Sequence, residues 1–485
     1  MRAALLLTLT PLVAAQTDAL ADKSERAKMW MAQGRFTDAA RLYEELTQAV
    51  PGNPGLLMNL GMARHMAGLD AQAIAPLEAA VKIKPLPPAL LFLGASYLRS
   101  GQPAQAIAPL KRFAATQPEH RQARQMLIDA ATAAANHSEA VIHLRKFAEW
   151  EPAKPGIWYG LGHAYQELAA SLFAGIPPES GYWLALAADS RRQTQSRAAF
   201  LLYRKAMEKL PKMRGLHASV AAIYQSTNHL DWATSELKLE AALGAPNCKP
   251  APTLECYFAA SRHSQVLASP LKTLETLYWK IRSYDALSRE AYARLLTLPP
   301  SAESHRFQAE SHRAQGRHAE AAESWRAALA LAPSDASLEF ELASTLAQRR
   351  DFDGAQGILT GLLAHQPTAT DLNFLQGELL LNQQKPAEAI PFLSKAAAKL
   401  LPARASLGRA LSQSSRPSDA IPHLKAALSL DTDGGLHFQL ARAYQSTGQA
   451  ELAKQTLAAY QQIQKRVEAE RQAIENEATI TAPVP

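Results

Sequence analysis

PPALLFLGASYLRSGQPAQAIAPLKRFAATQPEH, residues 87–120, reads as one helical hairpin. In its first half Leu90, Leu93, Gly94 and Tyr97 recur at three- and four-residue steps, the spacing of one helix face. Gly101 then permits the left-handed conformation that ends a helix. The second half carries Ala106 and Leu110 on one face and stops at Pro118, which can neither donate a helical hydrogen bond nor fit its ring into a helix interior.

The position of Ala106 recurs along the chain as Ala39, Ala73, Ala140, Ala199, Ala233, Ala321, Ala355, Ala389, Ala420 and Ala453. Successive differences between these numbers, from Ala39 onward and with Ala106 in its place, are 34, 33, 34, 59, 34, 88, 34, 34, 31 and 33, a period close to 34 with two insertions. Other positions keep phase. A large residue beside a tiny one precedes the alanine at a constant offset at Leu60-Gly61, Leu93-Gly94, Leu342-Ala343, Leu407-Gly408 and Leu440-Ala441, and Leu161-Gly162 repeats the pair ahead of the first insertion. Proline follows the alanine at a second constant offset, at Pro51, Pro85, Pro118, Pro152, Pro211, Pro333 and Pro367, and glycine marks the inner turn at Gly34, Gly68, Gly101, Gly316 and Gly448.

This pattern resembles the tetratricopeptide-repeat family over most of residues 20 to 461. Around Ala106 the matches are Leu93, Gly94, Tyr97, Gly101, Leu110 and Pro118; around Ala321 they are Gly316, Trp325, Ala328 and Pro333. Ile128 at a small-residue place, Asn136-His137 near a turn and the missing proline near Thr432 depart from it. The resemblance implies an all-α fold, a right-handed α-solenoid of about 11 to 12 hairpins with a concave groove, in which no hairpin buries its apolar face alone.

The first interruption, LFAGIPPESGYWLALAADSRRQTQ within residues 166–198, is expected to form an extension of two helices, either a projecting ridge or a hairpin packed back on its neighbours. The second, residues 247–301, reads as a degenerate hairpin with helices over Leu254–Ala268 and Leu271–Leu298, its Tyr278, Trp279, Tyr284 and Tyr292 belonging to a core. It joins an N-terminal array (20–246) to a C-terminal array (302–461) or acts as a hinge between them. Residues 462–485 read as a polar capping helix and a frayed tail.

The N-terminus, MRAALLLTLTPLVAAQ, has one Arg, an apolar stretch and small residues at Val13 and Ala15, the form of a short secretory signal spanning 1–15, with a second cleavage point at Ala21. The mature chain is therefore expected to be exported, periplasmic or secreted, without a membrane span. In an oxidising compartment the two cysteines, Cys248 and Cys256, are expected to pair.

The composition, 47% hydrophobic and 20% charged, belongs to a folded protein, and its net charge of +7 comes from 51 basic and 44 acidic residues that are interspersed, so no nucleic-acid footprint is read. No phosphate loop, HExxH, GxSxG or CxxC occurs, and of His305, His312 and His318 the first two occupy large-residue positions of a first helix, where packing accounts for them; no enzyme, metal or cofactor is expected. What remains is binding of proteins or peptides. The family groove is lined by first-helix positions, which here place Met58, Met62, Met66, Leu91 and Phe92 in the N-terminal half. In the C-terminal half they place Arg306, Glu310, Arg313, Phe340, Phe374, Glu378, Arg409, Phe438 and Arg442, suited to an extended peptide with acidic or aromatic side chains. The expected function is a non-enzymatic interaction scaffold; the alternative is an accessory subunit of a machine that exports or modifies a polysaccharide or other polymer.

Overall fold

A computed structural model describes residues 10–246, 248, 249, 251–477 and 480–483. Among them the chain forms helices and no strand. By packing it divides into two units, Met1–Leu168 and Ala169–Pro485. The first contains α1 (Thr10–Ala32), α2 (Phe36–Ala49), α3 (Pro54–Met66), α4 (Asp70–Ile83), α5 (Pro87–Arg99), α6 (Pro103–Thr116), α7 (Arg121–Ala133), α8 (His137–Trp150) and the start of α9 (Pro155–Phe173). The second continues with α10 (Gly181–Arg191), α11 (Ser196–Lys209), α12 (Leu216–Ser226), α13 (Leu230–Ala242), α14 (Leu254–Ala259), α15 (His263–Leu267) and α16 (Leu274–Leu296). Then follow α17 (Ala302–Ala314), α18 (His318–Leu331), α19 (Ala336–Gln348), α20 (Phe352–His365), α21 (Thr370–Asn382), α22 (Pro386–Ala397), α23 (Leu401–Gln413), α24 (Pro417–Ala427), α25 (Gly435–Ser446) and α26 (Ala450–Glu477).

Within each unit, helices pack chiefly on the ones before and after them in sequence, which is the contact pattern of a solenoid. The reason lies in the small residues. A Cβ added to Gly61 would stand 2.3 Å from Leu77 Cγ, to Gly94 2.4 Å from Leu110, to Gly377 2.4 Å from Leu393 and to Gly408 2.7 Å from Leu424. Each glycine of a first helix thus receives a leucine of its own second helix, at the same sequence offset in all four hairpins. The recurring alanines complete the contact: Ala39, Ala73, Ala106, Ala199, Ala321, Ala355, Ala389 and Ala420 have no exposed surface. Close approach of the helix pair and interior-like packing density are the same requirement seen twice.

The turns follow the sequence where glycine is present: Gly34, Gly68, Gly101, Gly316 and Gly448 all have φ of 70 to 77°. In the fourth hairpin the left-handed residue is Ala135 (φ 52°), one place before the Asn136 singled out from the sequence. Asn136 instead caps α8, its side chain accepting from the Glu139 N–H at 3.3 Å.

The 166–198 insertion takes the second of its two readings, packed back on its neighbours: α9 is long, and the short α10 packs on α11 and α16, with Leu184, Ala185, Leu186, Ala187 and Ala188 buried. Two expectations need restating. The expected helix over Leu254–Ala268 is two short ones, α14 and α15, because the chain turns through Ser261 at φ 54° and α14 closes on Cys256 and Phe258 carbonyls. Finally, the described part of the tail is held: the Thr481 carbonyl accepts a hydrogen bond from Tyr224 Oη at 2.5 Å. The aromatic residues of α16 are core as expected, and Tyr278 and Trp279 share one apolar cluster with Phe200 and Tyr224 of α11 and α12. Cys248 and Cys256 form a disulfide with Cα atoms 5.7 Å apart. Beside it Arg214 ties the preceding turn, donating from Nε to Gly244 O (3.0 Å) and from Nη1 to Glu255 Oε2 (2.7 Å).

The expected signal at 1–15 lies largely outside the described residues; from Thr10 the chain is helical through Ala32, past both expected cleavage points. Among the described residues no helix is long and apolar enough to cross a membrane.

Two outcomes follow from this packing. Gly94→Ala should cost about 1–3 kcal/mol in urea unfolding, because the new methyl collides with the branch point of Leu110 rather than with a flexible chain end. Burial holds the imidazoles of His65 and His143 below their ordinary value, so the folded chain prefers them neutral. Their contribution is complete above about pH 6.5, the unfolded value, and is lost as pH falls from there through the lower folded values. The melting temperature should therefore drop as pH falls from about 6.5 to 5, and His143→Gln should flatten that drop; a pH-independent wild-type Tm would contradict it.

Candidate functional site

The residues with the best claim to bind a partner are those that successive repeats present from the same place on the first helix. One column, in constant phase with the recurring alanine, holds Arg306, Phe340, Phe374 and Phe438. A second column, in its own constant phase, holds Glu310, Glu378, Arg409 and Arg442. The two are four positions apart, one turn along the same helix face. All eight residues lie in the second unit, on α17, α19, α21, α23 and α25.

Most of these side chains are half-buried. Phe340 packs against the apolar cluster of α17 to α21, and Phe374 against that of α21 to α25. Phe438 is exposed, its ring 5.3 Å from that of Tyr460. Arg442 is exposed on the next turn. The charged members form ion pairs between successive first helices. Arg409 Nη2 of α23 donates to Glu378 of α21 at 3.0 and 3.3 Å, and Arg313 of α17 donates to Glu341 of α19 while its guanidinium lies 5.8 Å from the Trp325 ring centroid. Arg306 Nε meets Glu310 Oε1 at 3.2 Å within α17.

These pairs give the first-helix face alternating charge and fix its arginines in place. They also alter what the sequence alone implies: Arg313 and Arg409 already have carboxylate partners, so a ligand carboxylate has to share them. Glu341, the partner of Arg313, was overlooked because it stands one place after Phe340, off the two columns.

In the first unit Met58 and Phe92 pack against the cluster formed by α4 to α7, and Phe92 meets His65 edge-on at 5.3 Å between centroids. Met62 is half-buried and Met66 exposed. This apolar set is a separate surface, described by itself. Among the described residues no group of three or more His, Cys, Asp or Glu is placed to hold a metal ion.

Helix pairs stacked in sequence, with small residues at most of the crossings and a repeated first-helix face, define a helical-repeat protein. The chain is a tetratricopeptide-repeat protein: residues 30–87, 93–156 and 340–404 match one tetratricopeptide-repeat model and residues 302–335 a second. Solved structures that match it include MamA from strain MSR-1, 25% identical over 34% of this chain and 98% of that one, with a TM-score of 0.31. MamA from Desulfovibrio magneticus RS-1 is 18% identical over 34% and 96% (TM-score 0.32), and yeast Tom70 is 14% identical over 96% of each chain (TM-score 0.31). No curated protein matches the chain.

The inter-helix ion pairs are solvent-accessible and should matter little to stability. Arg409→Ala is expected to lower the unfolding free energy by no more than about 1 kcal/mol, measured by urea titration; a loss of several kcal/mol would mean that the pair is structural rather than part of an available face.

Proposed function

We propose that the chain is a non-enzymatic scaffold whose second unit binds extended partner segments along the two first-helix columns. Tetratricopeptide-repeat proteins bind other proteins and are typically without catalytic activity. The observation that carries the finer reading is the recurrence of Arg306, Phe340, Phe374 and Phe438 at one repeat position with Glu310, Glu378, Arg409 and Arg442 one turn on. Phenyl rings offer a partner apolar area at low entropic cost, and the arginines supply bidentate donors to carboxylates and carbonyls. A row of this kind fits an extended peptide carrying aromatic and acidic side chains. The columns contain no Trp, so they lend no support to a polysaccharide-handling role.

We read the chain as exported. The apolar N-terminal stretch, the paired cysteines and the lack, among the described residues, of a helix able to span a membrane are in keeping with that.

Affinity capture with the full chain and with a Phe438→Ser, Arg442→Glu variant tests the binding reading at the two most exposed members of the columns. The wild type should retain a specific protein that the variant loses by tenfold or more while keeping its helical circular dichroism. Equal capture by both would move binding off this face.

A further inference from the structure

Tyr224 of α12 is a buried tyrosine whose hydroxyl is answered by the far end of the chain. Its Oη donates to the Thr481 carbonyl at 2.5 Å, across 257 residues of sequence, and the neighbouring Ile480 packs on the apolar cluster that contains Phe200, Tyr203 and Tyr224. At the same repeat position, nine places before the recurring alanine, Tyr97 donates instead to Glu78, a carboxylate on the preceding second helix five places after Ala73. Five places after Ala199 the corresponding site holds Arg204, which interacts with the Tyr224 hydroxyl. A guanidinium only donates. Arg204 therefore cannot take the Tyr224 proton, which is left for an acceptor that the repeat does not provide. The carboxylates nearby are committed: Glu236 pairs with His217 Nδ1 at 2.5 Å, and Asp189 takes Tyr203 Oη and Arg282 Nη1, each at 2.5 Å. Burial pushes the Tyr224 hydroxyl up to about 12, so it stays a donor throughout the physiological range.

We propose that the α11–α13 face around Tyr224 is a binding site for an extended peptide with a β-branched apolar residue followed by an acceptor carbonyl, and that the chain's own Ile480–Pro483 segment occupies it as a tethered ligand. Ile480 supplies the apolar anchor, and Tyr224 reads the backbone one residue later. A tether raises the local concentration of the tail to the order of millimolar, so a free peptide of modest affinity binds only when the tail leaves. The site thereby acts as a gate: partners of this chemistry must displace the tail. The inference deepens the scaffold reading by naming a second site, off the Phe and Arg columns, together with its ligand chemistry.

The test uses a fluorescein-labelled peptide EATITAPVP, residues 477–485, titrated by anisotropy into the full chain and into full-length Ile480→Asp. The released-tail variant should bind the peptide at least tenfold more tightly than the wild type, and Tyr224→Phe in the Ile480→Asp background should weaken that binding about fivefold with circular dichroism unchanged. A peptide with Asp at the Ile480 position should not bind. Equal affinity for wild type and Ile480→Asp, or no binding to either, would overturn the proposal, as would a Tyr224→Phe chain that binds undiminished. Any of these failures leaves capture through Phe438 and Arg442 unaffected, so the two readings fall separately.

Discussion

The contact on which the rest depends is a leucine seated where a side chain is missing. Leu77, Leu110, Leu393 and Leu424 each occupy the space that a Cβ on Gly61, Gly94, Gly377 and Gly408 would need. That arrangement sets the separation of the two helices in a hairpin, and with it the position of the fully buried alanine on the second helix. Once the pair is fixed, its outer apolar stripe has nowhere to go except against the next pair. A one-dimensional stack follows, with stability arising from adjacent hairpins rather than from a single core.

The same geometry produces the repeated first-helix face. Because most first helices are held in one orientation by a glycine or alanine, side chains at a fixed count before the recurring alanine line up from repeat to repeat. Phe340, Phe374 and Phe438 form such a row, and an ion pair from Glu378 to Arg409 joins α21 to the next first helix, α23. Packing determines where the side chains stand, and only their identities differ between repeats. On the proposed scaffold reading, the specificity of this chain belongs to those few positions.

Much of this was legible in the sequence because the decisive contacts are local. A glycine and the leucine it receives belong to one hairpin, as Gly94 and Leu110 do, and the alanine and proline keep phase around them, so periodicity reports them directly. The break of α14 at Ser261 was harder to see, since neither proline nor glycine marks it and a left-handed serine has no strong signature. The short, inward-packed α10 was open between two readings because LALAA suits a buried helix and a partner ridge alike. The ion pairs of Arg313 and Arg409 were not legible because their carboxylates lie on the neighbouring repeats, where column counting does not look for a partner. Least legible was the junction of Tyr224 with Thr481, where no repeat rule links residues so far apart. Its trace in the sequence is the replacement of Glu78's counterpart by Arg204, a change from acceptor to donor opposite a tyrosine.

The most direct measurement of the account is hydrogen–deuterium exchange across the full chain for wild type and Gly377→Ala, resolved by peptide. If hairpins are fixed by glycine–leucine seating and stabilised by their neighbours, exchange should quicken in α21 and α22, less in α19, α20, α23 and α24, and remain unchanged in the first unit. Uniform acceleration throughout the chain, or none in α21 and α22, would contradict it.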